Sequence, residues 1–479
     1  MGSKEKLIRA SELYRQREFD LLNILLEKLL TKNSNLFGAL HLKALMLHQL
    51  EDFDESIKVY NQLIRKNPSR VSLYNNLGNV FLEKKDFQAA EHNYLRALKI
   101  ETNYGDALIN LAIAQKKLSK HVDAEINFKK AVKSHPAEVK YFLNFSVFLT
   151  EQGRFSESLD LQLKVLEINN KQSEVYFQIF TNFMFLHQYE NALEIADIGL
   201  NSFQLNDFQL CELLIGKAIL FWLFDNDREG EQAIALSEKI HTIKSKNLNL
   251  KNHRVFHAFL KQLFIHRKKN RFDYDVSNNP YIYFISESHG FTPNGMTVKY
   301  QNIKHTVKSI LITGTKILHL TQEPHQCRSS LKILLNGLPK VSKVVLGFGE
   351  IDCRVSEGIY NYCLKYKKDF ITIIDSMLEK YIDMLIAENK YAHTFIIYGV
   401  PSPHPKAIEK LEEEQKRNFK SLVAYFNLKL EKLCKEQSIL FLDVYKLTND
   451  SGVSNLKYHF DNHHVSPRTL PELFISHNN

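Results

Sequence analysis

One interval governs the first two hundred residues. Residues 71–104 read VSLYNNLGNVFLEKKDFQAAEHNYLRALKIETNY, and their alternation of small and large side chains returns every 34 positions. Leu77 and Gly78 fall in a first helix, and Ala90, Tyr94 and Ala97 in a second. One interval later stand Leu111 and Ala112, then Ala124, Phe128, Ala131 and Pro136. One interval earlier stand Ala44, Leu47, Ser56, Tyr60 and Pro68. Weaker copies run through Phe145, Ser146 and Ser158, and through Tyr176, Ala192 and Gly199. Small residues let two antiparallel helices approach, larger ones fill the gap to the next pair, and a proline at the end stops the second helix. A chain with this interval is confined to stacked helix pairs.

The pattern resembles the tetratricopeptide repeat family over about residues 3–202, so residues 1–202 are expected to form an all-α helical-repeat solenoid. The concave face of such a solenoid suits an extended peptide or a partner protein. Asn75, Asn76, Asn79 and Asn110 fall on first helices, where a groove would be lined, although a solvated helix face explains them equally well. Residues 203–270 keep apolar residues at three- and four-residue spacing, as in FQLCELLIGKAILFWLF and HRVFHAFLKQLFIHRKKN, but lose the interval. They are expected to be capping helices that pack the repeats onto the rest of the chain, with Trp222 in their core.

Residues 271–280, RFDYDVSNNP, carry the Asn, Asp, Ser and Pro cluster of a linker. Beyond it the texture changes. YIYFI (281–285), SILIT (309–313), KVVLGF (343–348), HTFIIYGV (393–400) and SILFLDV (438–444) are strand candidates, with helical patterns over 361–389 and 405–436. Continuous apolar strands separated by helices predict an α/β three-layer domain with a parallel sheet over residues 281–479. In such sheets functional groups gather beyond the carboxyl ends of the strands. Those ends read SESHG (286–290), GTK (314–316), GEIDCR (349–354) and PSPHP (401–405), with FDNHHVSP (460–467) after the last strand.

These segments resemble the SGNH (GDSL-type) hydrolase superfamily over about residues 280–470, a fold of flavodoxin-like topology. The FGEIDCR form is similar to a subgroup that often carries tetratricopeptide repeats. The family's Gly-Asp-Ser block corresponds to Ser286-Glu287-Ser288, its glycine block to Gly314, its Gly-x-Asn-Asp block to Gly349-Glu350-Ile351-Asp352, and its Asp-x-x-His block to Asp461-Asn462-His463-His464. The resemblance implies Ser288 as nucleophile, His464 as base and Asp461 as the carboxylate that orients the ring, with His463 and His459 as rival bases. It also implies an oxyanion hole from the backbone N–H groups of Ser288 and Gly314. The family's third donor, an asparagine, is replaced by Ile351, whose side chain cannot donate. Losing one such donor costs about 10²–10³ in rate. Arg354 is a candidate replacement, or a contact for an anionic substrate group. Asp352 either braces its loop through backbone N–H groups or lines the pocket with Glu350 and Arg354. His289, next to the nucleophile, reads as a structural or substrate-contact residue, and Cys353 as a weak rival nucleophile.

Composition narrows the remaining options. No apolar run approaches the roughly 20 residues of a membrane-spanning helix, and the first residues, MGSKEKLIRASELYRQ, lack the apolar stretch of a secretory signal. The 5 cysteines, Cys211, Cys327, Cys353, Cys363 and Cys434, form no CxxC pair, so neither a disulfide framework nor a zinc site is expected. His319, His325 and His404 lack ligand spacing. A cytoplasmic protein without a cofactor is the expectation. The formal net charge of +9 is spread along the chain rather than gathered in an arginine-rich block, which argues against nucleic acid as partner. The resulting expectation is a serine-dependent hydrolase of small acyl esters, acetyl esters of carbohydrate first, joined to repeats that recruit a protein or peptide. An acyltransferase, or an inactive domain within a binding scaffold, are the alternatives.

Overall fold

In the computed structural model, which describes residues 3–202, 205–243, 251–274 and 278–478, the 34-residue interval becomes six helix pairs. They are Ser3–Arg15 and Phe19–Lys32, Phe37–Gln49 and Phe53–Lys66, Val71–Glu83 and Phe87–Ile100, Gly105–Lys117 and His121–Ser134, Val139–Glu151 and Phe155–Ile168, and Ser173–Phe185 and Tyr189–Ser202, here α1–α12. Every first helix begins 34 residues after the previous one. Within each pair the turn places one residue in the left-handed region: Arg17, Glu51, Lys85, Ser119, Gly153 and His187 in turn. In two of the pairs an aspartate after the turn caps the second helix, Asp52 accepting from Glu55 N and Asp86 from Ala89 N. The small residues of the pattern sit where helices meet. Ala44, Ala90, Ala97, Ala124 and Ala131 are buried, and a Cβ on Gly78 would meet the Tyr94 ring at 2.4 Å.

The chain divides into two compact units. The first runs to Ser146 and includes Glu167–Asn169; the second comprises Val147–Leu166 and the chain from Asn170 onward. The second unit holds three longer helices, α13 (Asp207–Leu223), α14 (Asp227–Ile243) and α15 (Lys251–Lys269), and then an α/β region. Arg267 ties the three helices together: its guanidinium lies 3.5 Å from the centroid of the Trp222 ring and pairs with Asp225 at 2.9 Å and Asp227 at 3.0 Å. Trp222 is fully buried and donates from Nε1 to Phe291 O at 2.9 Å.

Six strands form one sheet in the order β2-β3-β1-β4-β5-β6: β1 Tyr281–Ser286, β2 Thr297–Tyr300, β3 Ile303–Leu311, β4 Lys343–Gly347, β5 Thr394–Tyr398 and β6 Leu440–Leu442. Five are parallel. The sheet is nevertheless mixed, because β2 pairs antiparallel with β3, which corrects the wholly parallel expectation. The hairpin turns on Gln301 and Asn302, both with positive φ, the geometry that closes a two-residue loop. Between and after the strands lie α16 (Ile317–Leu320), α17 (Gln326–Gly337), α18 (Ile359–Tyr366), α19 (Phe370–Glu388), α20 (Pro405–Ile408), α21 (Glu413–Glu436), α22 (Val444–Thr448) and α23 (Thr469–Asn478), with a small ribbon of β7 (Asn449–Asp450) and β8 (Val453–Ser454).

Alternate strand residues face opposite layers. Ile285, Val344, Leu346, Phe395 and Ile397 pack with Leu331, Leu378, Phe426 and Leu430 of α17, α19 and α21. Ile282, Phe284, Val345, Ile396 and Tyr398 pack with Leu470, Leu473 and Phe474 of α23. The first of these cores also takes in Phe155 and Phe185, stacked with centroids 5.2 Å apart. β1 has β3 on one side and β4 on the other, so connections leave it in opposite directions and open a crevice at the carboxyl ends.

Candidate active site

The crevice is a cavity of about 700 Å³, lined by residues that follow β1, β3, β4 and β5 and by the segment after β8. Ser288 stands in a short 3₁₀ turn, Ser288–Phe291, just beyond β1. That turn is held by Gly290 N, which donates to Ser286 Oγ at 2.7 Å, and by Ser309 Oγ, which donates to Gly290 O. Gly290 has no room for a side chain, since a Cβ there would meet Ser286 Oγ at 2.2 Å.

His464 and Asp461 reach the same point from the opposite end of the chain. Asp461 accepts from the backbone N–H groups of His463 at 2.8 Å and His464 at 2.7 Å through Oδ1, while Oδ2 lies 2.8 Å from His464 Nδ1. Burial alone would raise this carboxyl, but the His464 ring and the two N–H groups hold it well below the usual carboxylate range. An ionised Asp461 only accepts, so Nδ1 carries the proton and the Nε2 lone pair faces outward. Nε2 lies 2.9 Å from Ser288 Oγ. A hydroxyl, imidazole and carboxylate in this series set a base on the hydroxyl proton. Ser288 is 7% exposed and His464 4%.

Two contacts here have no counterpart in the sequence patterns. Glu287, 1% exposed, takes a hydrogen bond from Ser288 Oγ through Oε2 at 2.8 Å, so one hydroxyl proton has two acceptors. Phe259 of α15 stacks on the His464 ring with centroids 3.7 Å apart and planes 15° from parallel. Phe256, a turn earlier, lines the cavity. The region read as capping helices thus supplies a wall of the site. Only the FxxF spacing in HRVFHAFLKQLF hinted at it, and that spacing equally describes an ordinary apolar helix face.

The other predicted residues divide into cavity lining and bracing. Gly314, with φ +63°, lines the cavity. Gly349 is not among the lining residues; it has φ +120°, and a Cβ would meet the Phe426 ring at 2.8 Å. Asp352, also off the lining, is buried and accepts from Ile317 N at 2.8 Å, bracing the start of α16. Burial pushes its carboxyl up to about 7. Arg354 lines the cavity but is engaged by carboxylates, Glu350 at 2.8 Å and Glu357 at 2.9 Å. Ile351 is 7% exposed and also lines the cavity. The side chain of His289 lies outside the described residues. His463 Nδ1 is 3.9 Å from Glu350, and His459 Nε2 is 2.7 Å from Ser454 Oγ. Burial pushes the Cys353 thiol well above its ordinary range, which leaves little thiolate.

Away from this crevice, His319, His325 and Cys327 bring three donor atoms within 4.8 Å of one another, a grouping their sequence spacing concealed. His319 Nδ1 accepts from Lys316 N and His325 Nδ1 from Cys327 N, so both rings also serve as local caps.

Residues 44–85 match a family model described as TPR repeat, and residues 71–104 match one described as tetratricopeptide repeat. No curated protein matches the chain significantly. Among solved structures, the crystal structure of MamA is similar at 18% identity, over 34% of this chain and 96% of that one, with a TM-score of 0.31. A thermophilic TPR protein of Thermus thermophilus is similar at 17% identity, over 38% and 100%, with a TM-score of 0.34. YrrB, a TPR protein with an unusual peptide-binding site, is similar at 19% identity, over 37% and 91%, with a TM-score of 0.30. Residues 44–104 of this chain are therefore tetratricopeptide repeats.

Proposed function

We propose that the α/β region is a serine-dependent ester hydrolase of the SGNH type and that the repeats recruit a protein or peptide partner. The observation that carries this reading is the continuous hydrogen-bonded series from Ser288 Oγ through His464 to Asp461, with spacings of 2.9 and 2.8 Å. In the proposed reaction the hydroxyl proton passes to His464 Nε2 as Oγ attacks the ester carbonyl. The imidazolium that forms faces an ionised Asp461, which stabilises it. The N–H groups of Ser288 and Gly314 are assigned to the developing oxyanion. His464 then returns the proton to the departing alcohol, and water, activated by the same ring, releases the acid. The strand order, with its crevice beside β1, supports a flavodoxin-like placement of the site.

Repeat modules present grooves for peptides or partner proteins, and the first helices offer polar side chains for one. Asn110 donates to both Asn75 and Asn79, and Asn76 lies 3.2 Å from His41, so much of this polarity is already engaged within the repeats.

Two observations favour a second reading. Ile351 leaves the cavity without the amide that the resemblance implies, and Glu287 competes for the Ser288 proton. A scaffold with a silent α/β domain would show both. Hydrolysis of p-nitrophenyl acetate, butyrate and octanoate by the wild type beside Ser288→Ala decides between them. The hydrolase reading expects turnover that falls at least about 10³-fold in the variant while its melting temperature is retained. Equal rates from the two proteins, or no turnover of any ester, would leave the scaffold.

A further inference from the structure

The cavity that holds Ser288 is graded in polarity. Ile351, Val355, Val400, Leu411, Phe419 and Val423 line it with apolar side chains contributed by the loops after β4 and β5 and by α21. Four of them, Ile351, Val400, Phe419 and Val423, are buried at 7% exposure or less. Of the charged lining residues, Glu357, Lys406 and Lys410 are exposed, Lys316, Glu350 and Arg354 are partly buried, and Glu287 is buried beside Ser288. The volume, about 700 Å³, lies well inside the roughly 300–1,000 Å³ range of sites that enclose whole drug-sized ligands. An acetyl group would leave most of that apolar surface facing water.

We infer that the acyl group of the substrate is an unbranched aliphatic chain of about six to ten carbons, held against Ile351, Val400, Phe419 and Val423. The inference rests on the hydrolase reading above and replaces its expectation of acetyl esters. An ester offers two parts to such a site, and the order of events assigns them. The alcohol leaves first and must return to solvent, which suits the charged, exposed rim. The acyl chain stays bonded to Ser288 Oγ until water attacks, which suits the dry interior. Ile351 also acquires a role: where an amide would donate, its branched side chain extends the apolar wall.

The test is the ratio of kcat/KM for p-nitrophenyl octanoate to that for the acetate, below the concentration at which the octanoate forms micelles. A fully buried methylene is worth about fourfold, so six that are about half buried give roughly 60-fold, and the expected ratio is about 30 or more. Val423→Trp, which fills the apolar end, is expected to lower that ratio at least tenfold. Leu411→Trp, at a half-exposed position, is a second obstruction should the Val423 variant fail to fold. A wild-type ratio near or below one, alongside Ser288-dependent acetate hydrolysis, overturns the chain-length inference and leaves the hydrolase reading intact. A high ratio that neither tryptophan moves also overturns it, because the chain would then bind elsewhere. Loss of all ester hydrolysis overturns both.

Discussion

Asp352 shows how a charged residue at the end of an apolar strand can serve the fold. Its Oδ2 accepts from Ile317 N, and its side chain is 3% exposed. Burial raises the carboxyl from 3.8 to about 7 against the pull of the Ile317 and Leu318 N–H groups. A carboxyl raised on folding keeps its proton better in the folded state, so its contribution to stability is fully present below about pH 4 and is lost as pH climbs through about 7. Asp352→Asn keeps an acceptor for Ile317 N and removes the titration. Wild-type stability, relative to that variant, should fall by several kcal/mol between pH 4 and 7, at about 1.4 kcal/mol for each pH unit crossed. Urea unfolding of both proteins across this range measures it, and parallel pH profiles would show that Asp352 carries no such burden. The residues of the site differ in how legible they were. Asp461 and His464 are three apart, so a single turn joins them and the spacing is visible in one dimension. Ser288 is 176 residues from His464 and had to be argued from strand ends. Glu287 lies inside the matched Ser286-Glu287-Ser288 block, but nothing in that block announces its contact with Ser288 Oγ, and Phe259 belongs to no such pattern. A ring that stacks on a histidine and a ring that fills a helix core are the same letter in a sequence.

At the level of elements, the repeat interval was fully visible because it is enforced at every pass. The left-handed residue in each helix pair is less visible, since five of its six occupants are not glycine. Gly153 is the exception, and packing explains it. A Cβ there would lie 2.0 Å from Ser329 Oγ and 2.3 Å from Ser329 Cβ, on α17. The hydroxyl can rotate away, but the Cβ cannot. Gly153→Ala should therefore cost more than the roughly 1–2 kcal/mol of a left-handed alanine alone. Ser119→Gly, at the equivalent turn, should shift stability by less than about 1 kcal/mol. Chemical denaturation of the two variants gives the comparison, and equal effects would mean that Ser329 yields. The strands were legible where both faces are buried, as in β4 and β5. β2 and the start of β3 escaped, because TVKYQNIKH alternates polar residues and turns on Gln301–Asn302 without a glycine. The helix read over 361–389 divides at Lys367, which is left-handed with φ 50°, and Asp369 caps α19 by accepting from Thr372 N at 3.0 Å.

For the whole molecule, the compositional boundary and the structural one differ. The repeat interval persists through α12, yet the compact unit that contains the sheet begins at Val147. Phe155 and Phe185 sit in the same core as Ile285 and Val344, and Ser330 Oγ donates to Phe185 O at 2.8 Å. Helices α13 and α15 contribute Trp222 and Phe259 to the cluster that covers Phe291 and, through Phe259, His464. Capping helices that pack onto the rest of the chain were expected over 203–270, but periodicity reports how helices are spaced, not which core their ends enter, so the attachments of Phe155 and Phe185 and the Phe259–His464 contact were invisible in sequence. They predict where the chain can be cut. A protein beginning at Val139 keeps α9 whole and every residue of the second unit. It should melt cooperatively and, on the proposed reading, hydrolyse esters within about twofold of the intact chain. A protein beginning at Arg271 would match the boundary that composition suggests, but it strips Phe155, Phe185, Trp222 and Phe259 from their cores. Removing one large buried aromatic costs about 3–5 kcal/mol, and domains are typically stable by only about 5–15 kcal/mol. The shorter protein is therefore expected to be aggregated or to lack a cooperative melt. If it melts as sharply as the longer one and retains Ser288-dependent activity, the helices before residue 271 are accessories to a self-sufficient α/β domain rather than part of its core.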